Sequence, residues 1–164
     1  MKKNKFDEYV NFFRNTLSIG HSFDVGERNV LIGEKEVYFY YVEGFIKSEI
    51  MERIFSVLFQ ITKNEMEKRK NATDFIKHHL PYMQATIVKN TDKMIQSLLS
   101  GLTVIIIDGY EEAIIMDLRT YPVRSIEEPE KEKSLRGSKD GFVETILFNT
   151  AMIRRRIRDP RLIF

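Results

Sequence analysis

Apolar side chains recur at Phe6, Tyr9, Val10, Phe13 and Leu17. That spacing lines one side of a helix and predicts one over 6–19, docked on a core. A break follows at 20–26. The runs 30–32 and 37–42 are rich in β-branched and aromatic residues, which marks them as strands, with a turn at 33–35. The second run lacks clean polar alternation and suits a strand covered on both faces. Ser48 is placed to cap a helix whose stripe is Ile50, Ile54, Val57, Leu58 and Ile61. The polar stretch 62–71 reads as a connector. A short helix over 73–80 stops before Pro81, because the residue ahead of a proline is pushed out of the helical region.

The run 84–88 is a strand candidate. Thr91 can open a helix bearing Met94, Ile95, Leu98 and Leu99, which Gly101 ends. Segments 103–107 and 113–118 form a hairpin around Asp108-Gly109, a pair suited to tight turns. The stretch 121–140 is a charged loop, and the last helix runs over 141–158. Strands alternating with helices predict an α/β fold: a small mixed sheet with helices packed on it and a long C-terminal helix. The expected organisation is an α/β core over 1–118, a charged loop over 119–140, and a terminal helix over 141–164.

Composition narrows the function classes. A length of 164 residues fits one domain. With 43% hydrophobic residues, wholesale disorder is excluded. Cysteine is absent, so disulfide and thiolate chemistry are excluded too. No apolar run approaches the ~20 residues a spanning helix needs. Met1-Lys-Lys-Asn-Lys has no apolar stretch behind it, so it does not read as a secretory signal. The net charge of +2 is unevenly spread: from Arg119 onward there are 11 basic and 7 acidic residues, against 15 and 17 before it.

Few residues suggest chemistry. His78 and His79 project about 100° apart on a helix and make a poor bidentate metal site; a helix end suits them better. No metal or cofactor is expected. Glu127, Glu128, Glu130 and Glu132 sit among lysines, a docking loop rather than an acid–base pair. Arg136 and Lys139, with Gly137 and Gly141, precede a helix start that can attract an anion. The spacing is neither a P-loop nor a dinucleotide fingerprint, and Ser138 or Asp140 can cap the helix instead. Asn149 and Thr150 form a polar pair inside an apolar run. Either they are buried with partners, or Asn149 faces water while Thr150 bonds back to its own helix. Arg154, Arg155, Arg156 and Arg158 fan around the helix, so not all can face one phosphate backbone. They suit ion pairs to the acidic loop or a contact across a domain or subunit boundary; a nucleic-acid or anion-binding module is the alternative.

The blocks Glu127-Glu128-Pro129, Arg136-Gly137, Gly141-Phe142-x-Glu144, Asn149-Thr150, Arg154-Arg155-Arg156 and Asp159-Pro160 resemble, in this order, the soluble N-terminal region of the GerA family of spore germination proteins. The resemblance is dense over 117–162 and diffuse over 6–118. It implies a non-enzymatic N-terminal domain of a spore inner-membrane protein, on the cytosolic face, acting in complex assembly or signal relay. Implied partners are a second N-terminal subdomain and a membrane domain of the same protein, other germination complex subunits, and further copies of the chain; no nucleic acid is expected. The interface candidates are Glu127, Glu128, Arg136, Asn149, Thr150, Arg154, Arg155, Arg156 and Arg158. Pro129, Gly137, Gly141, Phe142, Glu144, Asp159 and Pro160 would shape the motif.

Overall fold

Residues 5–46, 48–80, 84–119 and 142–164 are described by a computed structural model of the chain. Helix α1 (Lys5–Thr16) precedes strands β1 (Val25–Ile32) and β2 (Lys35–Val42). Three helices follow: α2 (Ser48–Leu58), α3 (Lys63–Glu67) and α4 (Ala72–His79). Then come β3 (Ala85–Val88), α5 (Thr91–Leu99), β4 (Thr103–Ile107), β5 (Ala113–Met116) and α6 (Ile146–Ile157). Glu127, Glu128, Pro129, Arg136, Gly137 and Gly141, expected to form the interface and its motif, lie outside the described residues.

The five strands run in the order β1-β2-β4-β5-β3. A small sheet carrying helices, with a helix at the C-terminus, matches the expected architecture, but the pairing is antiparallel throughout and not mixed. The reason is the β4–β5 hairpin. The crossover from β3 through α5 to β4 joins two strands that point the same way, yet β5 is inserted between them. No neighbouring pair is therefore parallel.

Alternation along the strands builds two cores. Tyr38, Tyr40, Val42, Val104, Ile106 and Ile115 face α1 and α5. Val37, Phe39, Ile105, Ile107, Ile114 and Met116 face α2, α3 and α4. Coverage of both faces explains why β2, β4 and β5 are apolar without a break. The β1–β2 turn holds Gly33 at φ 52° and Glu34 at φ 66°, the two positive values of a tight hairpin turn. A Cβ on Gly33 would lie 2.7 Å from Met66 Cβ, so glycine also lets α3 close against the turn.

Several local expectations shift. The supposed connector contains α3, whose capping box is complete: Thr62 accepts from the Glu65 backbone N–H, and the Glu65 carboxylate accepts from the Thr62 N–H at 2.8 Å. The buried stripe of α2 is Met51, Ile54, Phe55 and Leu58, while Val57 is 52% exposed. Phe55 sets that rotation by meeting Phe39 edge-on at 5.0 Å. Strand β1 begins at Val25, inside the expected break. Asn90, not Thr91, caps α5, accepting from the Lys93 N–H at 2.8 Å. Helix α6 starts at Ile146, five residues later than its pattern suggests.

At the end of α4, the Phe75 ring lies 5.2 Å from the His79 imidazole. Burial, and secondly the Arg69 guanidinium, holds the His79 pKa below its ordinary 6.5. Glu65, Asp74 and His78 are the other charged neighbours. A depressed histidine favours the neutral form in the fold, so its stabilisation is present above the ordinary pKa and declines as pH falls below it. Asp117 and Asp159, held low by Arg119 and Arg161, lose their contributions only in stronger acid. Denaturation midpoints should thus fall between about pH 7 and pH 5.5, and His79→Gln should flatten that slope. An unaltered slope in the variant would clear His79 of the effect.

Candidate interaction surface

The link between α1 and β1 turns sharply, with Ser18 at φ 48° and Gly20 at φ 86°. This sends Ser22 and Asp24 inward; both are buried. Asp24 meets Arg154 of α6, whose side chain is also fully buried. Nε of Arg154 donates to Asp24 Oδ2 at 2.7 Å, and Nη2 donates to Oδ1 at 2.8 Å. Nη2 also donates to Ser22 Oγ at 3.3 Å, and Nη1 donates to the Asp159 carbonyl at 3.2 Å. The guanidinium carbon lies 5.1 Å from the centre of the Phe164 ring. Phe164 in turn donates its N–H to Ser22 Oγ at 3.2 Å. A forked, two-bond pair with its remaining donors satisfied is the arrangement in which a buried charge is tolerated.

Among the described residues, apolar packing adds little to the hold on α6. Ala151 is its one residue within the buried apolar clusters. The helix closes on Gly44 (φ 84°), where a Cβ would lie 2.7 Å from the Leu147 carbonyl oxygen. Thr150 Oγ1 donates back to the Ile146 and Leu147 carbonyls at 3.2 and 3.1 Å, one of the two options open in the sequence. Asn149 does more than face water. Its Oδ1 accepts from the Val143 N–H at 2.8 Å, and its Nδ2 donates to the Val143 carbonyl at 2.6 Å. That pair of bonds sets the chain's entry into α6, where Thr145 makes no side-chain cap. At the other end Arg158 takes the left-handed conformation (φ 49°), and its N–H donates to the Arg154 carbonyl at 2.9 Å. The helix ends there, ahead of Pro160.

The outward side is apolar and basic. Ile146 is 63% exposed, Ile157 54% and Phe142 73%. Arg155, Arg156 and Arg158 are exposed, as is Glu144, while Pro160 is half-buried. Asp159 is taken up by Arg161, whose Nη2 donates to Oδ2 at 2.7 Å.

The four arginines therefore do not form one surface. Arg154 is inside, so the cluster does not present four guanidinium groups together, which weakens the nucleic-acid alternative. Its partners Ser22 and Asp24 escaped the sequence reading; the only local signal was an acid between apolar Phe23 and Val25. His78 is engaged by Asp74, and no group of three metal-capable residues occurs among the described residues. Among them, too, no helix is long and apolar enough to cross a membrane.

Removing one partner of the buried pair strands the other charge. Arg154→Ala should cost about 3–5 kcal/mol in chemical denaturation, whereas the double replacement Asp24→Leu/Arg154→Leu should cost less than the two singles combined. Arg156→Ala should stay within about 0.5 kcal/mol. A loss below about 1 kcal/mol at Arg154 would mean that α6 is held some other way.

Residues 13–164 match the family described as Bacillus/Clostridium GerA spore germination protein. The chain is 40% identical over 151 residues to stage V sporulation protein AF of Bacillus subtilis (strain 168), covering 92% of this chain and 30% of that protein. It is 30% identical over 148 residues to spore germination protein KA of the same organism, covering 88% and 27%. It thus spans less than a third of these relatives. The run 148–162 resembles the stage V sporulation protein AF branch more than receptor A subunits, in line with these identities. In fold it is similar to the crystal structure of the N-terminal domain of the A subunit of the Bacillus megaterium spore germinant receptor GerK3. The TM-score is 0.68 at 24% identity, over 98% of this chain and 58% of that one. The match runs from within α1 to the last residue, and the chain belongs to the GerA family of spore germination proteins.

Proposed function

We propose that the chain is the non-enzymatic N-terminal part of a membrane-anchored spore germination protein. It faces the cytosol at the spore inner membrane and serves complex assembly or signal relay. A second N-terminal subdomain and a membrane domain would complete the protein, and other germination subunits, with further copies of the chain, would be its neighbours. Support comes from relatives named for sporulation and spore germination that are some three times longer, and from a fold shared with the N-terminal domain of a receptor A subunit.

The observation that carries the reading is the orientation of α6. The helix turns its buried arginine into a saturated ion pair and leaves isoleucine, phenylalanine and three arginines outside. Each nitrogen of the Arg154 guanidinium already has a partner inside the domain. Exposed apolar side chains rimmed by charge favour a protein contact.

The triple replacement Arg155→Glu/Arg156→Glu/Arg158→Glu, made in the full-length protein, should preserve the circular dichroism spectrum and abolish co-purification with the other germination subunits. Recovery of an intact complex from the triple variant would count against an assembly role.

A further inference from the structure

Two hollows of opposite chemistry adjoin on the outer side of α6. One, about 170 Å³, is lined by Phe142, Met152, Ile153, Arg156 and Ile157. The other, about 370 Å³, is lined by Met152, Arg155, Arg156 and Arg158. They share Met152 and Arg156. A helix packed on its own domain usually turns its apolar stripe inward. Here Arg154 faces inward, and Phe142 and Ile157 stay in water.

We infer that this side of α6 is a docking site for an amphipathic helical segment of a partner protein. That segment would place a large apolar side chain in the first hollow and a carboxylate, one helical turn further on, in the second. The inference rests on the assembly reading and adds the partner's chemistry to it. Charge complementarity selects the occupant. Guanidinium forks pair with carboxylates, and side chains three or four positions apart on a helix are neighbours. Methionine adapts its shape to an incoming side chain. A nucleic acid would gain nothing from the apolar hollow, and Arg154 is unavailable to it. The apolar hollow is a half-open concavity of about 170 Å³, which suits one inserted side chain better than a flat lipid surface.

The test uses the chain Met1–Phe164 and a fluorescein-labelled helical peptide of about 16 residues with leucine and glutamate at i and i+4. A twin peptide carries lysine in place of glutamate. The glutamate peptide should bind and the lysine peptide should bind at least about tenfold more weakly. Ile157→Ser should weaken binding by about tenfold or more. Arg158→Glu should weaken the glutamate peptide by about tenfold and shrink its advantage over the lysine peptide. Both positions are exposed, and thermal melts will confirm that each variant is folded.

Equal binding of the two peptides, or no effect of Ile157→Ser, overturns the proposal. So does a preference of the chain for phosphatidylglycerol vesicles or duplex DNA over either peptide. Self-association that Ile157→Ser abolishes, seen by sedimentation, would assign the face to a second copy instead. Should the charge swap fail while the triple arginine reversal still breaks the complex, the docking chemistry is wrong and the assembly role stands.

Discussion

The placement of α6 depends on one buried ion pair. Arg154 and Asp24 stand 130 positions apart in sequence and both lie wholly inside. Taking two charges out of water is costly, and their attraction offsets that cost only in good geometry with the remaining donors satisfied. Here the requirement is met by Asp24, Ser22, the Asp159 carbonyl and the Phe164 ring together. Three parts of the chain are joined: the α1–β1 link, α6 and the final residues. An apolar contact could have held the helix in several rotations. A two-pronged guanidinium–carboxylate contact accepts one, and that choice decides which side chains face out.

The centre of the sheet was legible because β2, β4 and β5 are covered on both faces, and such strands show as plain apolar runs. The β4–β5 hairpin announced itself through Asp108-Gly109 between two of these runs. The antiparallel pairing was not visible, since nothing local says that β5 will slip between β4 and β3. Helix α3 was legible in principle: Thr62 and Glu65 are a capping box, outweighed by the polarity of the stretch. The phase of α2 was misread because the aliphatic residues were weighed and Phe55 was not.

Arg154 marks the limit of local reading. Four arginines in five positions are alike in composition, and each has the same intrinsic preference for water. Only the distant Asp24 distinguishes one of them, and a lone aspartate beside Phe23 carries little warning that it will be buried. Asn149 is a gentler case. Its partner Val143 is six residues away, yet lies ahead of the helix, so the bond could not be deduced from helix periodicity.

The clasp and the outer surface are one design seen from two sides. Successive residues on a helix turn about 100°, so fixing Arg154 inward turns Arg155 and Arg156 outward. Gly44 allows the close approach that brings α6 within reach of Asp24. The Asp24 carbonyl accepts the Glu43 N–H at 2.8 Å, next to Gly44 in sequence. A force applied to the outer face of α6 would therefore pass through Arg154 into both the first strand and the end of the second. In this geometry a contact on the surface helix and the position of the sheet edge are mechanically joined.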